Sequence, residues 1–256
     1  MSAISNTPPG APYRRATPAL LLAVLCVAGL VLTWVLAALV APTHVRDATA
    51  LYDLTHLDRP MVEVPARALL GLLEPVFFVI WAVALIAVAL RRGRPRVALA
   101  VAAVLILAPL SADLLKPLLA HPHAEVAPLY IKSASWPSGH ASAAMALVWC
   151  ALLVAPTGLR RTIATLSVFF LVAVAFSLLI LAWHMPSDVI GGYLLATLWA
   201  ALAVAGLRLA DARGGQAASV EPEPCSPGAQ SGSDCAPAPS LTARLRMNSM
   251  SESRLR

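Results

Sequence analysis

Six times within its first 210 residues the sequence runs almost wholly apolar for about the length of a bilayer-crossing helix, with more polar stretches between the runs. The runs fall near residues 18–41, 67–90, 96–119, 139–156, 162–183 and 188–209. About 20 consecutive apolar residues span the hydrocarbon core as an α-helix. The predicted fold class is therefore all-α: a polytopic membrane protein with six transmembrane helices in a bundle. Composition agrees, with 59% apolar and 12% charged residues, against roughly half and a quarter in soluble domains. The first run follows Arg14 and Arg15 but is too long for a removable signal peptide and lacks a small-residue cleavage site, so it is expected to remain as an anchor. The division that follows is a cytoplasmic segment 1–17, a membrane domain 18–210, and a Pro/Ser/Gly-rich tail 211–256 with too little apolar surface to fold alone. That tail is expected to be disordered and cytoplasmic. No internal repeat supports an inverted-repeat transporter.

Orientation follows from the basic residues, which gather in short cytoplasmic loops. Arg91, Arg92, Arg94 and Arg96 follow the second run, Arg160 and Arg161 the fourth, and Arg208 and Arg213 the sixth. The opposite connections carry Asp47, Asp53, Asp58 and Glu63 against Arg46 and Arg59, and then only Lys132. All six histidines, at 44, 56, 121, 123, 140 and 184, then lie at or near the extracytoplasmic face. The net charge of +6 is accounted for by these border arginines, so nucleic acid is not an expected partner. Cys26 and Cys150 sit in apolar runs and Cys225 and Cys235 in the tail, without metal-type spacing.

Two polar islands interrupt the apolar sequence. In Trp136-Pro137-Ser138-Gly139-His140, Pro137 and Ser138 suit a helix start, Gly139 permits close approach, and free N-terminal amides bind anions. This reads as a phosphate cradle beside a proton donor; the plain alternative is that Ser138 caps a helix and His140 rests among headgroups. In Trp183-His184-Met185-Pro186-Ser187-Asp188, a carboxylate four residues from an imidazole can fix its tautomer and free the other nitrogen for attack. The alternative there is a capping Ser187 or Asp188 with a surface histidine. Lys116 stands near the outer end of the third run, three residues after Asp113, on one helical face. Glu74, beside Pro75, is a further carboxylate within an apolar run.

These residues resemble the type 2 phosphatidic acid phosphatase family, which also includes soluble acid phosphatases and vanadium-dependent haloperoxidases. The family carries three motifs: Lys, six residues, Arg-Pro; Pro-Ser-Gly-His; and Ser-Arg, five residues, His, three residues, Asp. Pro137, Ser138, Gly139 and His140 match the second in full. Ser177, His184 and Asp188 match the third, but Leu178 occupies its arginine position. Lys116 matches the first, with His123 and Ala124 at the Arg-Pro positions. The resemblance spans about residues 60–210, including motif order.

The resemblance implies two-step phosphoryl transfer. His184 attacks phosphorus, Asp188 stabilises its charge and His140 protonates the leaving alcohol. Lys116, Ser138 and Gly139 hold phosphate oxygens, with His123 at the first-motif arginine position. That scheme needs no metal or other cofactor. An arginine offers a permanent planar fork that histidine matches only when protonated and leucine not at all. Lys132 is a possible replacement cation. Three outcomes follow: a lipid phosphatase, a transferase of phosphate headgroups, or an inactive scaffold that binds anionic lipid. The expected substrate is a polyprenyl phosphate or diphosphate, or a phosphatidic-acid-like lipid. It would be met at the outer face of what the Ala/Arg/Pro-rich composition suggests is a bacterial plasma membrane. A rival without catalysis, a metal site built on His121 and His123 with His44 or His56, lacks recognisable ligand spacing.

Overall fold

The structure, a computed structural model, describes residues 11–56, 60–120 and 133–219. Every regular element among them is helical: α1 Ala11–Ala38, α2 Ala41–Thr55, α3 Pro60–Gly71, α4 Pro75–Arg91, α5 Pro95–Leu118, α6 Gly139–Val154, α7 Arg160–Ile180 and α8 Pro186–Ser219, with a 3-10 turn Thr157–Leu159 before α7. Four of these segments, Ala16–Ala38, Pro95–Leu118, Thr157–Ile180 and Pro186–Arg213, are long and apolar enough to cross a membrane. The pair α3 and α4 is long and apolar enough only when taken together across its bend, which brings the count to at most five. Helix α6, the remaining expected span, is apolar but only 16 residues long. The first helix starts earlier, and the last ends later, than the sequence boundaries at 18 and 210. Residues 220–256, where the disordered tail is expected, lie outside the described residues.

The side-chain distribution is that of a protein solvated by lipid. Leu25, Val76, Leu99 and Phe169 stand exposed, while the interior is built largely from alanine, including Ala98, Ala108, Ala144, Ala146, Ala196 and Ala200. Small residues let helix backbones approach, which is the main source of packing energy between helices in lipid. α6 lies at the centre, against α4, α5 and α7. α8 joins it through Ser142 Oγ to the Gly192 carbonyl (3.1 Å) and Trp149 Nε1 to Thr197 Oγ1 (3.1 Å).

Two local features differ from the sequence reading. The expected continuous span 67–90 is broken, with a 54° bend between α3 and α4. Glu74, forced off helical geometry by the following proline, adopts φ −60°, ψ 153°, and Pro75 begins the next helix. The expected outer loop near Asp47 is the helix α2. Pro42 starts it, and Ala48 and Leu51 bury one face against Met185 and Leu179.

Candidate active site

The turn between α7 and α8 is set by backbone hydrogen bonds. Trp183 N donates to Leu178 O and Ala182 N to Leu179 O, both at 3.0 Å, and Ala182 takes a positive φ of 50°. This is a Schellman closure with alanine where glycine is usual. His184 thus leaves α7 abruptly and faces the first turn of α8. There Asp188 reaches back to the Met185 amide with Oδ2 at 3.0 Å, the acidic half of a capping box favoured by the helix dipole. The same oxygen lies 3.2 Å from His184 Nδ1. Asp188 is fully buried, and the His184 side chain is 12% exposed. A hydrogen on Nδ1 is donated to that oxygen and leaves the lone pair on Nε2.

The second island is locked to the first by backbone. Ser138 N donates to Asp188 O at 3.0 Å, and Ser138 O accepts from Ser142 N at 3.0 Å. Ser138 Oγ caps α6 by accepting from Ala141 N at 3.3 Å. Gly192 makes this closeness possible: a Cβ there would stand 2.5 Å from Ser138 O and 2.8 Å from Ala141 Cβ. Gly191 likewise gives room to the buried Trp136 indole.

Lys116 completes the cluster. Its Nζ bonds Asp113 Oδ1 at 2.8 Å and lies 3.4 Å from where a Gly139 Cβ would be, so the ammonium stands at the head of α6. Among the described residues, the amides of Gly139 and His140 have no protein acceptor. A helix N-terminus and an ammonium sharing one place is unfavourable unless an anion sits between them. Asp113 offsets only part of this charge, and its own side chain is 67% exposed. The His140 ring packs beside Trp183, centroids 5.7 Å apart. His184, Lys116, Glu74 and Asp113 are all near enough to act on it electrostatically.

Of the residues anticipated from sequence, Lys116, Gly139, His140, His184 and Asp188 are thus brought together. Ser138 is there too, but fully buried and occupied as the α6 cap. His123, with His121 and Lys132, lies outside the described residues. Leu178 is fully buried in an apolar cluster with Leu70, Leu73 and Val174, so no cation is supplied at that position. Among the described residues, no three His, Cys, Asp or Glu side chains are grouped to hold a metal.

The sequence reading left Glu74 without a purpose, and the helix break sets its carboxylate within electrostatic range of His140. It also overlooked Asp47, which accepts from Ser187 Oγ at 2.6 Å and from Ser187 N at 3.2 Å, fastening α2 to the start of α8. The signal for the helix crossing was the Gly191-Gly192 pair inside an apolar run, three residues past Asp188.

Comparison with solved structures finds a transmembrane PAP2 type phosphatidylglycerolphosphate phosphatase from Bacillus subtilis. The TM-score is 0.61 at 18% sequence identity, over 79% of this chain and 98% of that one. At that identity the likeness concerns the fold, a membrane-embedded helical bundle. Comparison with curated protein sequences finds no match. Residues 69–210 match the PAP2 superfamily, a stretch that holds Lys116, the Pro137–His140 island and the His184–Asp188 pair together with the helices that join them, and the chain belongs to that superfamily.

Proposed function

We propose that the protein is a membrane lipid phosphatase that works through a phosphohistidine. The observation that carries this reading is the His184–Asp188 pair facing the open head of α6, with Lys116 and His140 beside it. In the first step the Nε2 lone pair of His184 attacks phosphorus, the bond to the lipid oxygen breaks, and His140 gives that oxygen its proton. Asp188 stabilises the positive charge that develops on the His184 ring. In the second step His140, now neutral, takes a proton from water as the water attacks phosphorus. Phosphate leaves and His184 regains its lone pair. Lys116 and the Gly139 and His140 amides offer donors to the equatorial oxygens, where charge spreads in the transition state.

The substrate we infer is a lipid phosphate monoester or diphosphate. Phosphatidylglycerol phosphate, the substrate named for the structural neighbour, joins phosphatidic acid and polyprenyl phosphates as a candidate. The arginines cluster at the far end of the bundle, which favours a site at the extracytoplasmic face, with α6 as the sixth span. Leu178 favours one rival, an inactive anionic-lipid scaffold, because it removes a phosphate-binding cation.

The test is phosphate release by purified protein across a panel of these lipids, beside His184→Ala. We expect release from at least one lipid, abolished in the variant. Binding of the lipids without release would favour the scaffold.

A further inference from the structure

At the end of the bundle remote from His184, the helices α1, α6 and α8 part and leave a groove of about 510 Å³. Its walls include Leu22, Leu152, Val204 and Trp149, and its charged groups are Arg160 and Arg208. Trp149 is held by its bond to Thr197. A second groove, of about 480 Å³, adjoins it through Leu153, Val204 and Arg208 and adds Arg94 and Arg96. Those two arginines are engaged, Arg94 with the Leu153 carbonyl and Arg96 with Asp211. Arg160 has no protein partner among the described residues.

The depth of this groove is fixed by the helices. Arg208 lies 22 residues beyond Pro186 in α8, about 33 Å of helix, or roughly one hydrocarbon thickness from the candidate active site. Two guanidiniums above an apolar wall, at that depth, match an interface: cations among phosphates and aliphatic side chains against acyl chains, with the Trp149 indole deeper in the wall beside Thr197. No carboxylate lines the first groove among the described residues, so its charge complements an anion.

We propose that this groove binds an anionic phospholipid of the leaflet opposite the candidate active site. Its phosphodiester is held by Arg160 and Arg208, and an acyl chain lies along Leu22, Leu152 and Val204. The site is separate from the chemistry at His184 and does not depend on it.

Native mass spectrometry of the full chain, titrated with phosphatidylglycerol or phosphatidylcholine, tests this. Phosphatidylglycerol is a phosphodiester and carries no terminal phosphate for His184. Wild type should prefer it to phosphatidylcholine. Arg160→Gln with Arg208→Gln should weaken its binding by about 25-fold, at about fivefold for each basic residue at the membrane surface, with phosphate release unchanged. Arg91→Gln with Arg161→Gln changes the charge equally outside the groove and should preserve the preference. Arg160→Gln alone, which removes a guanidinium without a protein partner, should cost about fivefold even if the double variant does not fold. Equal binding of the two lipids by wild type, or equal losses in both double variants, would overturn the proposal. So would a lipid-free dimer that depends on the same two arginines, since a second copy would then fill the groove.

Discussion

Replacing Gly192 by alanine should damage a site that Gly192 does not itself touch. The new Cβ would meet Ser138 O at 2.5 Å, Ala141 Cβ at 2.8 Å and Ser142 N at 3.0 Å, and two of these atoms are backbone. Since Cβ contacts below 3.0 Å essentially do not occur, α6 and α8 must separate locally by about 0.5 Å or more. That movement pulls on the Ser138 N to Asp188 O bond, which sets the histidines of the two islands relative to each other. Overpacking of this kind costs about 1–3 kcal/mol, and the gain in helix propensity returns about 1 kcal/mol. We expect a net loss of up to about 2 kcal/mol, or as much as a few degrees in Tm. A displacement of 1 Å can cost about 100-fold in rate, so half of that should lower kcat/KM by about tenfold. Gly206, on the same helix with nothing within 4 Å of its Cβ position, is the control. Gly206→Ala should leave activity intact and stability equal or higher. Thermal unfolding and steady-state kinetics of both variants in the same detergent decide the matter. A Gly192→Ala protein as stable and as active as Gly206→Ala would refute the claim that close backbone approach aligns the site.

Asp188→Asn should lower kcat by about 10³–10⁴-fold, as a neutral amide no longer stabilises the charge that develops on the His184 ring and its NH2 can turn to Nδ1 and fix the wrong tautomer; steady-state kinetics with unchanged helicity by circular dichroism checks this. Leu178→Arg, which restores the motif residue, should destabilise rather than rescue, because a charge replaces a fully buried side chain in an apolar cluster, costing on the order of several kcal/mol. Higher activity in that variant would show that position 178 reaches the phosphate. Ser187→Ala deletes the 2.6 Å bond to Asp47 and should cost about 1.5–3 kcal/mol, read as a lower Tm.

The legible parts of this molecule were those written in local pattern. Apolar run length announced α5 to within one residue, α7 to within three and the start of α8 to within two, though α8 runs ten residues further, and the spacing of His184 and Asp188 foretold their contact, because four residues place two side chains on one face of a turn. Pro137 and Ser138 likewise marked the start of α6. What escaped depended on groups far apart in sequence. The break at Glu74 was signalled by Pro75, but its significance lies in proximity to His140, which only packing creates. Helix α2 was hidden by its charges, since its buried face exists only against Met185 and Leu179. Leu178 was visible as a departure from the motif, while its burial among Leu70, Leu73 and Val174 is a tertiary fact.

The central claim is that His184 carries the phosphoryl group, and direct detection of that bond tests it best. The protein would be exposed to a labelled phosphate ester with a leaving group that needs no proton, then quenched in alkali, where phosphohistidine survives and phosphoserine does not. His140→Ala should accumulate an alkali-stable, acid-labile label that maps to His184, because attack proceeds while hydrolysis lacks its base. His184→Ala should take up none. Label that persists in His184→Ala, or that maps to Ser138 or any other residue in His140→Ala, would contradict the account.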